Sequence, residues 1–285
     1  MTALETDSEA LCADASQLSV TDVERFGSNP MATFSGNLRD VRARIERASR
    51  RAGRNPAQVR LLPIGKTVPA HILRFAVRAG LTALGENRVL EARAKHDALA
   101  DLSIDWAIVG HLQTNKAKEL VKFACEFHAL DSIRVAQMLN GLLDAQGRSL
   151  PVYIQVNTSG ENSKFGLHPE AVMPFVDVLA GFPRLLPRGL MTLALFSADL
   201  NKVRPCFQLL RRLRDRAVLR NAALTELSMG MSGDFEVAIE EGADVVRISA
   251  EAFDRECDVR ILVPSDSYNA GAPCCLTPGG PPWIA

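Results

Sequence analysis

Two short stretches of this 285-residue chain carry groups that could do chemistry, and each also has a plainer reading. Residues 61–67 read LLPIGKT: an apolar run closes on Gly65, and Lys66 stands at its tip. A lysine just past a buried strand is most often a loop residue pointing into water. The same amine at the mouth of a site can instead attack a carbonyl carbon. Residues 228–234 read SMGMSGD, two glycines and Ser232 directly before a segment of helical spacing. Glycine lets an anion approach backbone N–H groups, and a helix start leaves such groups unpaired. The alternative is a tight turn in which Ser232 or Asp234 caps the helix. A third group, Arg247, lies near the end of the run DVVRIS.

These residues need a frame that brings them together. Eight apolar runs recur, at 59–65, 81–85, 106–110, 127–130, 151–157, 188–193, 224–230 and 244–249. Segments of helical spacing separate most of them; in the first, Ile72, Phe75, Ala76 and Ala79 share one face. Asp131 is placed to cap the helix after the fourth run, and Pro205 should lie near the first turn of the one after the sixth. Before them all, residues 37–54 put Leu38, Val41, Ile45 and Ala48 on one face of a helix ended by glycine. Eight strand–helix units in about 200 residues fit a single α/β (β/α)8 barrel, whose strands are buried on both faces. The rival, a doubly wound open sheet, normally carries G-x-G-x-x-G after its first strand, and that motif is missing here. In a barrel the strand exits share one rim. On it stand Lys66, Asn87, His111, Asp131, Asn157, Thr192, Ser228–Asp234 and Arg247–Ala250.

Lys66 after the first strand and an anion cup after the seventh would then face each other across that rim. A phosphorylated aldehyde uses both: phosphate in the cup, carbonyl condensed with the amine as a Schiff base. Pyridoxal 5′-phosphate is the common cofactor of that description. Arg247 could meet its pyridine nitrogen; being protonated, it would leave that nitrogen unprotonated and weaken the ring as an electron sink.

The motifs GKTVP, GENRVLEARAK, WAIVGHLQTNKAK, LDSIRVAQMLN, IQVNTSGENSKFG, RGLMTL and LSMGMSGDFEVAIEEGADVVRI resemble, in order, the pyridoxal phosphate homeostasis proteins. That family is also called the proline synthase co-transcribed family. The resemblance runs from about residue 35 to 253 and implies a barrel like the N-terminal domain of alanine racemase, without that enzyme's second domain. It implies that Lys66 forms the internal aldimine, and that Ser232 and the backbone near Met231 and Gly230 hold the phosphate. Arg247 matches the arginine beside the ring nitrogen. Asn87 matches a residue near the cofactor, and Lys164 a basic residue near the mouth, with a solvated loop lysine as its alternative. The chain also departs from the family pattern. Ser249 stands where a glycine gives the phosphate close backbone access, and Ala250 where a hydroxyl contacts it. A lost hydrogen bond to a charged group costs ~1.5–3 kcal/mol, roughly one to two decades in affinity. Gly65 replaces a serine before the lysine, and Ala107 a histidine in the third strand.

The remaining composition bounds the rest. Lysine plus arginine and aspartate plus glutamate both number 33, so no global charge calls for nucleic acid or a membrane surface. No apolar run reaches membrane-span length. The first residues lack the basic and apolar regions of a signal peptide, and the six cysteines show no C-x-x-C pair, so a reduced, cytoplasmic protein without a metal site is expected. Residues 1–30 and 257–285 read as flexible extensions around a barrel over 31–256. Three functions follow. The first is a carrier that holds pyridoxal phosphate and passes it to apoenzymes, expected as a monomer with a dimer as the alternative. The second is a racemase or other biosynthetic enzyme. Only Tyr153 and Tyr268 are present as tyrosines for a second acid/base, and His111 is the rim candidate, otherwise a packing histidine. The third is a relative with weakened cofactor binding through Ser249 and Ala250.

Overall fold

The computed structural model describes residues 18–254. The first two helices precede the sheet. α1 (Val20–Phe26) starts in a capping box, with Asp22 N donating to Ser19 Oγ and Ser19 N to Asp22 Oδ2, each at 3.1 Å. α2 (Pro30–Arg51) begins at a proline, where no intrahelical N–H is lost, and Asn29 Oδ1 accepts from Ala32 N at 3.1 Å. The expected start at Asn37 is thus seven residues late, and residues 18–30 are folded rather than an extension. The reason is apolar: Phe26 is buried edge-on against Phe34, with ring centroids 6.2 Å apart, and Phe34 against Phe253 at 5.6 Å. Residues 1–17 and 255–285, including the expected C-terminal tail, lie outside the described residues.

Eight parallel strands follow: β1 (Arg60–Pro63), β2 (Ala83–Glu86), β3 (Asp105–Ile108), β4 (Glu126–Leu130), β5 (Leu150–Gln155), β6 (Leu185–Met191), β7 (Glu226–Met231) and β8 (Val245–Ile248). Each corresponds to one of the eight apolar runs. Between them lie α3 (Ala70–Arg78), α4 (Val89–Ala98), α5 (Ala117–Phe123), α6 (Ile133–Asp144), α7 (Val172–Leu179), α8 (Leu200–Val218) and α9 (Phe235–Glu240), and α10 (Ala250–Phe253) closes the set. The strands pair in the order β1-β8-β7-β6-β5-β4-β3-β2. The ring closes between β1 and β2 by a single bridge, Ile64 to Gly85, with Gly65 N donating to Gly85 O at 2.9 Å. This is the single α/β (β/α)8 barrel that the eight apolar runs predict.

Two local expectations change. Asp131 does not cap α6; its neighbour Ser132 does, accepting from Val135 N at 3.3 Å. Pro205 is the sixth residue of α8, past its first turn, in a helix that Asp199 caps by accepting from Asn201 N at 3.0 Å.

Inside the barrel runs a polar chain. Side chains from β1, β4, β5, β7 and β8 meet there, which they can do only across the interior. Arg247 Nη1 donates to Ser228 Oγ at 2.8 Å, and Ser228 Oγ lies 2.9 Å from His128 Nδ1. His128 Nε2 lies 2.9 Å from Glu126 Oε2, which also accepts from Arg60 Nη2 at 2.7 Å. Tyr153 stacks on His128 and donates to Glu226.

Candidate functional site

Lys66 leaves the end of β1 exposed, and no hydrogen bond or ion pair joins it to another described residue. It is one of the two central residues of a turn closed by Val68 N donating to Gly65 O at 3.0 Å. The other is Thr67, at φ +64°, the one described non-glycine residue in the left-handed region. A β-branched residue there costs on the order of 1–3 kcal/mol, so neighbours must hold it.

They do so on both sides. From within, Lys95 Nζ donates to Gly65 O at 2.8 Å and to Glu86 Oε1 and Glu91 Oε1, both at 2.7 Å. Glu91 Oε1 also accepts from Thr67 N at 3.3 Å. Glu86 is fully buried; that burial, opposed by Lys95, raises its carboxyl above the ordinary range. Removing Lys95 would strand that charge, which costs about 3–5 kcal/mol in buried pairs. Gly65 fits this cluster, because a Cβ there would lie 2.9 Å from Glu86 Oε1. From outside, Arg25 of α1 donates to Thr67 O at 3.0 Å and to Thr67 Oγ1 at 3.1 Å.

Arg247 sits on the adjacent strand, paired in register with Leu62, four residues before Lys66. It is almost fully buried, and burial lowers its guanidinium to about 10, still protonated at neutral pH. Nη1 bonds Ser228 and Nη2 bonds Thr192 O at 2.8 Å, so three of its five N–H groups remain. Because Arg247 donates to Ser228, the serine hydroxyl is free to donate to His128 Nδ1, and His128 Nε2–H then points at Glu126. Burial lowers His128 to about 4, which keeps it neutral in this chain.

The β7 exit is the candidate cup. Gly230 has φ +94°, and a Cβ there would lie 2.7 Å from Ala238 Cβ and 2.9 Å from Phe235 Cα. Neither proposed cap holds: Asp234 precedes α9 without a side-chain cap and instead accepts from Met231 N at 2.6 Å. Met231 N is therefore taken by Asp234, which leaves the neighbouring amides for the backbone role that the resemblance implies. The amides of Ser232 and Gly233 have no hydrogen-bond partner among the described residues. Ser249 N donates to Ser232 Oγ at 3.3 Å, which leaves the Ser232 O–H to donate elsewhere. Ala250 opens α10; its side chain lies outside the described residues.

Other rim residues are placed less directly. Asn87 is exposed, and its carbonyl packs so tightly that a Cβ on Gly110 would be 2.1 Å away. His111 stacks on Phe165 with ring centroids 3.8 Å apart, and its Nδ1 is 3.2 Å from Asp131 Oδ2. Lys164 is not a solvated loop lysine: its Nζ donates to Ala194 O at 2.7 Å and pairs with Glu161. Tyr153 is buried within the barrel, away from the rim. No cluster of three or more metal-type ligands occurs among the described residues.

The alanine racemase N-terminal domain family matches residues 36–248. A pyridoxal phosphate homeostasis protein of Aquifex aeolicus is 41% identical over 217 residues, covering 76% of this chain and 95% of the relative. One from Pseudomonas aeruginosa is 40% identical over 223 residues, covering 78% and 96%. The chain belongs to the pyridoxal phosphate homeostasis protein family. PipY of Synechococcus elongatus, solved with PLP bound, is 30% identical with a TM-score of 0.69, over 77% of this chain and 99% of PipY. Alanine racemase of Clostridium difficile 630, at 12% identity and TM-score 0.60, shares the fold; this chain spans 56% of it.

Within this homeostasis family chain, sequence reasoning missed the residues that act through others. Lys95 lies inside a quoted motif, and its spacing of four from Glu91 was the available signal. Arg25 lies before the matched stretch altogether.

Proposed function

We propose that the chain holds pyridoxal 5′-phosphate on Lys66 and takes part in storing that cofactor and passing it to apoenzymes in the cytoplasm, as a monomer. The cofactor supplies an aldehyde that bonds an amine, and a ring that draws electron density. One observation carries the reading: three fitting groups sit on three neighbouring strands. Lys66 on β1 offers an amine without a described partner. Arg247 on β8 keeps three unused N–H groups at a buried position. Ser232 and Gly233 after β7 offer two amides and a hydroxyl to an anion, beside a Gly230 with no room for a Cβ. The names of the relatives, and PLP in PipY, support it. A charged Arg247 at the ring nitrogen suits holding over turnover, because it leaves the ring a poorer electron sink.

The test is the visible spectrum of the purified protein with added pyridoxal phosphate, followed by borohydride reduction and peptide mapping. A new band with the reduced adduct on Lys66, absent in Lys66→Ala, is the expected result. Adducts spread over surface lysines would overturn it and point to Ser249 and Ala250 as changes that removed the ligand. A second reading, a turnover enzyme, rests on His111, whose Nδ1 faces Asp131 and leaves Nε2 for a proton. Steady racemisation of an amino acid would favour it; stoichiometric transfer to an apoenzyme would favour the carrier.

A further inference from the structure

α1 lies outside the stretch that the domain family matches, yet it reaches the turn that carries Lys66. Arg25 uses two N–H groups at that turn and a third beyond it. Nη1 and Nη2 go to Thr67 O and Thr67 Oγ1, at 3.0 and 3.1 Å, and Nε goes to Asp254 Oδ1 at 2.8 Å. Asp254 is itself held, its carbonyl accepting from Asn37 Nδ2 at 2.9 Å. α1 is fixed from two other directions. Asp22 Oδ2 lies 3.0 Å from His71 Nε2 on α3, the helix that follows the Lys66 turn. Phe26 packs into the Phe34–Phe253 cluster between α2 and α10. Arg25 thus bridges the β1 exit to the helix after the β8 exit, the two sides on which Lys66 and Ser249 stand.

We propose that Arg25 is a positioning residue: it holds Thr67 in its left-handed conformation and so fixes the direction in which Lys66 leaves the strand. The turn has a left-handed third residue, a place normally taken by glycine or asparagine. Threonine does not choose that conformation, so the guanidinium, together with Glu91 on the inner side, imposes it. The N-terminal helix thereby acts as part of the site, without touching the ligand. This rests on the reading of Lys66 as the ligand-bearing amine.

The plain alternative is that Arg25 only fastens α1 to the barrel. Four full-length proteins separate the two: wild type, Arg25→Met, Thr67→Gly and the double variant. Amide exchange of the peptide spanning 65–69 is followed by mass spectrometry without ligand, and pyridoxal phosphate affinity is read from the visible band. In Arg25→Met, exchange at 65–69 should rise about tenfold while β4–β6 peptides keep their rates, and affinity should fall roughly tenfold. Glycine takes φ +64° without steric cost, so adding Thr67→Gly to Arg25→Met should bring affinity back to within about threefold of wild type. Unchanged exchange at 65–69 in Arg25→Met, or a double variant no tighter than Arg25→Met, overturns the proposal. Wild type failing to bind would instead overturn the functional reading, while the exchange data still decide the role of Arg25.

Discussion

At the scale of single residues, the interior chain from Arg247 to Glu126 sets a pH limit. His128 is held near 4 by burial, below the ordinary 6.5, so the folded state prefers it neutral. Its contribution is complete above about 6.5 and is lost as pH falls through about 4, because the unfolded chain takes up the proton first. Glu126 acts in a lower window. Burial opposes its charge, but His128 and Arg60 bring its carboxyl down to about 2, so its contribution is lost between 4.5 and about 2. Moving from pH 7.5 to 5 should therefore cost roughly 2 kcal/mol from His128 alone. Urea unfolding at the two pH values checks this, and His128→Gln should flatten that part of the curve. A wild-type stability that stays level between those values would refute the assignment.

At the scale of elements, the cup depends on how closely β7 and α9 approach. Gly230→Ala would add a Cβ 2.7 Å from Ala238 and impose φ +94° on a chiral residue. A loss of about 2–4 kcal/mol is expected in urea unfolding, together with weaker pyridoxal phosphate binding. Unaltered stability would mean that α9 gives way freely. The elements were largely legible in the sequence, because each strand is an apolar run ended by a polar residue. Lys66, Ser232 and Arg247 stood out at those ends for the same reason. α1 did not, since VTDVERF is short and polar; the Ser19–Asp22 spacing was its one written sign. Nor does spacing say where a carboxylate turns. Asp234 could cap α9 or take Met231 N, and only the folded chain shows that it takes Met231 N. Asp131 and Ser132 differ by one residue, within the ordinary uncertainty of a helix start.

At the scale of the whole molecule, α1, α2 and α10 join through three phenylalanines, so the chain's first and last described helices both pack on Phe34 of α2. Phe26→Ala should lower stability by about 3–5 kcal/mol, measured as a shift in the urea midpoint. The barrel ring itself is uneven. β1 is matched to β8 by four register pairs, but to β2 by one bridge. Arg247 stands on β8, and Lys66, Ser232 and Ser249 just past the ends of β1, β7 and β8, with Lys66 next to the seam. The ligand proposed above, held by these four, would tie β1 to β7 and β8 and would pull on Lys66 one residue beyond the Gly65 that bonds β2. A vessel filled and emptied in that way would pass each exchange to the one joint that closes its wall.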